Sequence, residues 1–170
     1  MHKTQRFDSL IQYWWEDAAR KYVYDGPVVW LLGKAQVEAE SQYNPKAMSQ
    51  AGARGILQIM SGTWGPGFLL EWNNPDENLR VGFHYLFKLW KMFADEDGME
   101  RWKFALGAYN CGPGWIIKAQ ALLKARARET NLWINIASVL PSLTGKHSQE
   151  TIRYVDRIIK RYDEMTPNQT

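Results

Sequence analysis

Apolar residues recur at three- and four-residue steps along most of this chain, and the breaks between the runs fall at Gly, Pro and Asn. That pattern predicts a string of amphipathic helices. Leu10, Ile11, Trp14, Ala18 and Tyr22 make the first stripe, over about Asp8 to Tyr24. Asp25-Gly26-Pro27 ends it and opens the next helix, glycine suiting the position just past a helix and proline the first turn of one. Val28, Leu31, Leu32, Ala35 and Ala39 form the second stripe. This helix runs to about Tyr43, because Asn44 precedes Pro45 and the residue before a proline is pushed out of helical conformation.

Pro45, Gly52 and Gly55 mark a loop, and the short apolar run from Ile56 to Met60 reads as extended. Ser61-Gly62-Thr63-Trp64 reads as a helix entry capped by Ser61 or Thr63. Asn73-Asn74-Pro75-Asp76 is a turn that caps the strongest helix, with Leu79, Phe83, Leu86, Trp90 and Phe93 on one face until Asp95-Glu96-Asp97-Gly98 breaks it. Trp102, Ala105, Leu106 and Tyr109 mark another helix, stopped at Asn110-Cys111-Gly112-Pro113-Gly114. A basic helix follows over about Trp115 to Arg128, then one from Leu132 to Leu140 ended by Pro141. The last starts at Ser148 or Gln149 and carries Thr151, Tyr154, Val155, Ile158 and Tyr162. With no internal repeat and no linker, the expectation is one all-α domain over residues 1–170.

Two carboxylates near the end of the second helix, Glu38 and Glu40, fall on opposite flanks of its apolar stripe. Lys34, four residues before Glu38, is in reach for an ion pair that would keep Glu38 ionised. Glu40 has Gln36 and Asn44 at the same offsets and no cation. A carboxyl against apolar surface without a cationic partner can stay protonated near neutral pH, as a general acid must. Periodicity alone does not choose between the two, and solvated helix glutamates are the ordinary case.

Composition narrows the chemistry. With 170 residues, 45% hydrophobic and 23% charged, the chain suits a folded domain with a sizeable core. Lys plus Arg exceed Asp plus Glu by only 21 to 18, too little for a dedicated nucleic-acid binder but suited to an anionic wall polymer. One Cys and three scattered His give no disulfide framework and no metal-ligand spacing, so no cofactor is expected. No run reaches the ~18 apolar residues of a membrane span. The N-terminus has no apolar core of signal-peptide length. Nine Trp and eight Tyr are many, and Trp64, Trp72, Trp115 and Trp133 are candidates for stacking on sugars, with core packing the usual role for each.

Four segments in order carry a resemblance: Glu40-Ser41 with Asn44-Pro45; Gly52-Ala53-Arg54-Gly55-Ile56-Leu57-Gln58-Ile59-Met60; Ala108-Tyr109-Asn110-Cys111-Gly112-Pro113-Gly114; and Glu150-Thr151-Ile152-Arg153-Tyr154-Val155. Together they resemble the catalytic domain of soluble lytic transglycosylases, relatives of goose-type lysozyme, over residues 28–162. The resemblance implies a lysozyme-like helical domain with a substrate cleft, in which Glu40 rather than Glu38 is the catalytic acid and base. It also implies that Ser41 positions the muramic-acid residue, Gln58 lines the sugar cleft, Tyr109 and Asn110 face the scissile bond, and Tyr154 lies close to the acid. Leu57, Ser61 and Cys111 depart from the family's usual Met, Pro and Ala; Leu57 conserves bulk and Cys111 adds only a sulfur, so neither of these two removes a catalytic group.

Most glycosidases use two carboxyl groups, yet no Asp or Glu lies between Ser41 and Leu70. A single acid favours the non-hydrolytic route to a 1,6-anhydro product, and one residue serving as acid and then base calls for a raised pKa. The alternatives are a hydrolytic muramidase that draws on Glu71 or Asp76, and a non-catalytic wall-binding module. The expected partner is the peptidoglycan glycan strand, with a monomer acting at the wall and no nucleic acid or membrane insertion. Without an export signal, a phage lysis enzyme released by a holin-type lesion is the favoured setting, ahead of virion or secretion-machine cargo.

Overall fold

The computed structural model describes residues 5–24, 26, 29–65 and 71–166. The expected boundary residues Asp25 and Pro27, and Val28 of the second stripe, lie outside the described residues. The chain forms two compact units, Met1–Tyr85 with Lys160–Thr170, and Leu86–Ile159. Among the described residues there are helices and turns but no strand, so the all-α expectation is met.

In the first unit, α1 (Asp8–Lys21) packs on α2 (Trp30–Ser41). The inner face of α1 is Ile11, Trp15 and Ala18, all fully buried. Trp14, expected inside, is only half-buried, and its indole N–H donates to Asp76 Oδ1 at 2.7 Å. Of two adjacent tryptophans only one fits the stripe, and the other lies where a carboxylate accepts its N–H. Trp15 meets Phe83 edge to face at 5.4 Å. It reaches α2 over Gly33, where an added Cβ would come within 2.5 Å of the indole ring.

α2 stops at Ser41, two residues before the expected end. Gln42 and Tyr43 are left-handed (φ 52° and 63°), and the Gln42 N–H closes the turn on the Glu38 carbonyl at 3.0 Å. The following loop folds on itself through isolated antiparallel bridges, Met48 with Arg54 and Arg54 with Ile59. Of the run from Ile56 to Met60, expected extended, residues 56–58 form a turn instead, while Ile59 pairs with Arg54 and Met60 is extended. Ile56 and Leu57 are both fully buried, and an extended chain would send successive side chains to opposite faces.

The short α3 (Ser61–Trp64) is preceded by an extended Met60 with no side-chain cap, so neither Ser61 nor Thr63 fills the expected capping role. α4 (Pro75–Met92) starts as predicted: Asn74 Oδ1 accepts the Asp76 N–H at 3.0 Å, and Asp76 and Glu77 sit in its positive first turn. Its predicted stripe, Leu79, Phe83, Leu86 and Trp90, is buried, as is Phe93 just beyond it.

In the second unit, α5 (Gly98–Cys111), α6 (Pro113–Ala125) and α7 (Trp133–Thr144) pack on one another. Trp133 lies against Gly107, where a Cβ would approach its ring to 2.5 Å. The Glu100 carboxylate of α5 accepts the Trp133 N–H at 2.6 Å, so one helix supplies the anion at the N-terminus of another. Pro141 does not end α7 but lies inside it. Its ring is solvent-exposed, and the turn continues through Gly145 N–H to the Pro141 carbonyl at 3.1 Å. The burial of Val139 and Leu140 outweighs one missing backbone bond. α8 (His147–Met165) buries Thr151, Tyr154, Val155, Ile158 and Tyr162, as its pattern predicts.

Candidate active site

The two carboxylates of α2 differ in their surroundings, though not in the expected way. Lys34 does not pair with Glu38; its ammonium lies 2.8 Å from Asp8 Oδ2. Glu38 is held instead by Arg161, whose Nε donates to Oε2 at 3.1 Å, and by the Tyr43 hydroxyl at 3.0 Å. A spacing of four allows a pair without requiring one, and Glu38 already has two other donors. Burial, with the Glu38 charge beside it, pushes the Tyr43 phenol well above its ordinary pKa, so it stays a donor. Arg161 is likewise pushed up, chiefly by its hydrogen bond to Glu38. Glu40 stands half-buried in the last turn of α2, one residue before Ser41.

Ser41 joins that turn to the loop. Its hydroxyl donates to the Ile56 carbonyl at 2.8 Å, with the Val37 carbonyl more distant at 3.4 Å. Gln58 lies in the same loop at φ 47°, and its amide Nε2 donates to the carbonyls of Ala47 (3.0 Å) and Gly55 (2.9 Å). Both of its N–H bonds are therefore spent on the loop, and Oε1 is the group left to accept from a ligand.

Sequence reasoning missed the residue that fixes this loop to α4. Asn78 is fully buried; Oδ1 accepts the Leu57 N–H at 2.8 Å, and Nδ2 donates to the carbonyls of Trp72 (3.0 Å) and Arg54 (3.1 Å). Gly55, at φ 82°, lies against that amide, where any Cβ would collide with Asn78 and the Trp72 carbonyl. An Asn among charged residues near a helix start gives no signal of such a role, but the glycine at position 55 is its visible counterpart.

The other three expected residues belong to the second unit. Tyr109 and Asn110 are half-buried at the end of α5, where Gly112 (φ 90°) releases the chain into α6. Asn110 Oδ1 accepts from the Thr151 hydroxyl at 2.7 Å, which leaves the Asn110 NH₂ as the available donor. Thr151, within the fourth motif but not singled out from sequence, is 2% exposed, and Tyr154 is buried one turn further along α8. The Cys111 thiol is half-buried, and burial pushes its pKa up. It is therefore a poor nucleophile. Of the six expected residues, Glu40, Ser41 and Gln58 lie in one unit and Tyr109, Asn110 and Tyr154 in the other.

Of the aromatic candidates, Trp133 is core. Trp72 lies beneath the Arg54 guanidinium at 5.3 Å, and Trp115, 37% exposed, beneath the Lys118 ammonium at 4.3 Å. Asp76, the alternative source of a water-binding carboxylate, accepts from Trp14, while Glu71 is exposed. Among the described residues no three His, Cys, Asp or Glu side chains cluster as metal ligands would. Nor is any helix there long and apolar enough to cross a membrane.

Comparison with known proteins agrees with this arrangement of motifs. Residues 16–132 match the model of the Transglycosylase SLT domain family. The membrane-bound lytic murein transglycosylase F of Desulfosudis oleivorans is 31% identical over 95% of this chain, and that of Maricaulis maris is 32% identical over 75%. The chain spans only 36% and 28% of the length of those two proteins. In fold it is similar to the 70 kDa soluble lytic transglycosylase of Escherichia coli, with a TM-score of 0.61 at 21% identity over 89% of this chain and 24% of the other. A family match across residues 16–132, which include Glu40-Ser41, the glycine-rich loop and Tyr109-Asn110, means that this chain belongs to the Transglycosylase SLT domain family.

Proposed function

We propose that this protein cleaves the β-1,4 bond between N-acetylmuramic acid and N-acetylglucosamine in peptidoglycan, without water, with Glu40 as acid and then base. Family membership supports the substrate and the reaction class. The observation that carries the assignment of Glu40 is the occupation of its neighbour: Glu38 is tied by Arg161 and Tyr43, which bars it from the proton transfers the reaction needs.

The reaction balances with one carboxyl group. Glu40, protonated, gives its proton to the glycosidic oxygen as the bond to the anomeric carbon breaks and N-acetylglucosamine departs as the alcohol. The substrate's own N-acetyl group supports the positive charge at that carbon. The muramic 6-hydroxyl oxygen then closes on it, and the Glu40 carboxylate takes the hydroxyl proton, regenerating the acid and leaving a 1,6-anhydro ring. No Asp or Glu follows Glu40 until Glu71, which supports this route over hydrolysis.

The roles proposed for the remaining residues follow their free hydrogen-bonding capacity. Ser41 has lone pairs and Gln58 has Oε1 with which to accept from sugar hydroxyls, and Asn110 has its NH₂ to donate. Tyr109 and Tyr154 complete the set by their match to the family's motifs.

Glu40→Gln preserves shape and removes the proton donor. It is expected to lower peptidoglycan clearing by at least about 10²-fold with an unchanged melting temperature. Near-full clearing by the variant would refute the assignment. The phage-lysis setting is a separate proposal, tested by expression in a Gram-negative host with and without a holin; lysis independent of the holin argues against it.

A further inference from the structure

Two sets of bonds grip the end of α2 on neighbouring positions of the helix surface. Ser41 is tied to the Ile56 carbonyl at 2.8 Å, and three residues earlier Glu38 accepts from Tyr43 at 3.0 Å and Arg161 at 3.1 Å. Arg161 is itself held by Glu164, whose Oε2 lies 3.1 Å from Nη1. Tyr43 reaches back only because Gln42 and Tyr43 are both left-handed, a conformation that non-glycine residues adopt at a cost. Its ring is 4% exposed, so the hydroxyl is delivered to Glu38 by a side chain that is itself fixed by packing. Glu40 lies about 200° round the helix from Glu38, in the same last turn.

A clamp this elaborate is more than closing the end of a helix needs. Helix ends fray, and a glycine in the left-handed position would close this one without strain. Here the chain retains two strained non-glycine residues, a buried phenol, and a carboxylate bridged to an arginine from the other end of the sequence. All of these bonds converge on the last turn of α2, the turn that carries Glu40.

We infer that Glu38, Tyr43 and Arg161 form a positioning network that holds Glu40 in the orientation needed for proton transfer. The inference rests on the reading of Glu40 as the acid. Their assigned role is to position Glu40 by keeping the last turn of α2 rigid. Misplacing a reacting group by about 1 Å costs up to roughly 10²-fold in rate, so the network is expected to govern turnover rather than affinity.

The test measures kcat, KM and melting temperature on soluble, uncross-linked peptidoglycan strands for wild type, Glu38→Gln, Arg161→Met, Arg161→Lys and Glu40→Gln. Glu38→Gln and Arg161→Met are expected to lower kcat about tenfold while KM stays within about twofold, and Arg161→Lys, which keeps the charge, to recover most of the rate. Should Glu38→Gln fail to fold, Tyr43→Phe removes a single hydrogen bond and is expected to lower kcat in the same direction. A merely structural role would lower the melting temperature and leave kcat per folded molecule unchanged, which would overturn the inference. If Glu40→Gln is inactive while the network variants keep full kcat, the network fails and the acid stands. If Glu40→Gln remains active, both fail.

Discussion

The Thr151 hydroxyl donates to Asn110 Oδ1 at 2.7 Å and so fixes the orientation of the Asn110 amide. Thr151 is almost fully buried, while Asn110 is half-buried. Thr151→Val keeps the shape and removes the donor. The amide is then free to turn, and turnover is expected to fall about tenfold with about 1 kcal/mol of stability lost. Thr151→Ser is expected to restore both. Equal activity for wild type and Thr151→Val would show that the amide needs no such restraint.

Asn78, itself fully buried, makes three hydrogen bonds, each to the backbone of the segment from Arg54 to Trp72. Asn78→Ala leaves those groups without their partner, and a loss of about 3 kcal/mol is expected in chemical denaturation. Gly55→Ala meets the same amide from the other side at φ 82°, and should cost at least about 1 kcal/mol. A neutral Asn78→Ala would mean that the loop is held elsewhere.

Gly33 and Gly107 each admit an indole, Trp15 and Trp133 respectively, at 2.5 Å from where a Cβ would stand. Both Ala substitutions overpack a buried contact, and each is expected to lower stability by about 1–3 kcal/mol. The exposed Gly114 has nothing near its Cβ position, so Gly114→Ala is the control. Thermal unfolding of the three variants side by side checks the ranking.

Glu96 gives a pH signature. It is 2% exposed, with Gln120 Nε2 donating to it at 2.7 Å, and burial pushes its pKa above the ordinary 4.5. The folded state therefore binds its proton more tightly than the unfolded chain does. Its contribution is fully present below the unfolded value and is lost as pH rises through the folded one. Relative to Glu96→Gln, the wild type is expected to match the variant below about pH 4.5 and to fall behind as pH rises. A difference independent of pH would contradict the assignment.

What could be read from the chain follows from how local the cause is. The α4 cap at Asn74 and the stripe from Leu79 to Trp90 depend on neighbours three and four residues away, and both appear as read. The choice of Trp15 over Trp14 depends on Phe83 and Asp76, more than sixty positions distant. Spacing puts Lys34 in reach of Glu38, yet it pairs with Asp8, and Glu38 pairs with Arg161 from the far end of the chain. Pro141 reads as a helix stop because the rule counts one lost backbone bond, whereas the burial of Val139 and Leu140 decides the outcome. At the candidate site the four motifs can be read along the chain, but the contacts of Asn78, Thr151 and Arg161 cannot. Their significance lies in the backbone or side chain that each one meets.

The mass of the muropeptides released from purified Gram-negative peptidoglycan, by wild type and by Glu40→Gln, decides between lyase and hydrolase. Non-hydrolytic cleavage predicts products ending in 1,6-anhydro-N-acetylmuramic acid, one water lighter than hydrolytic products, and none from the variant. Reducing-end products from the wild type would contradict the account and make the enzyme a muramidase with a water-binding group yet to be found.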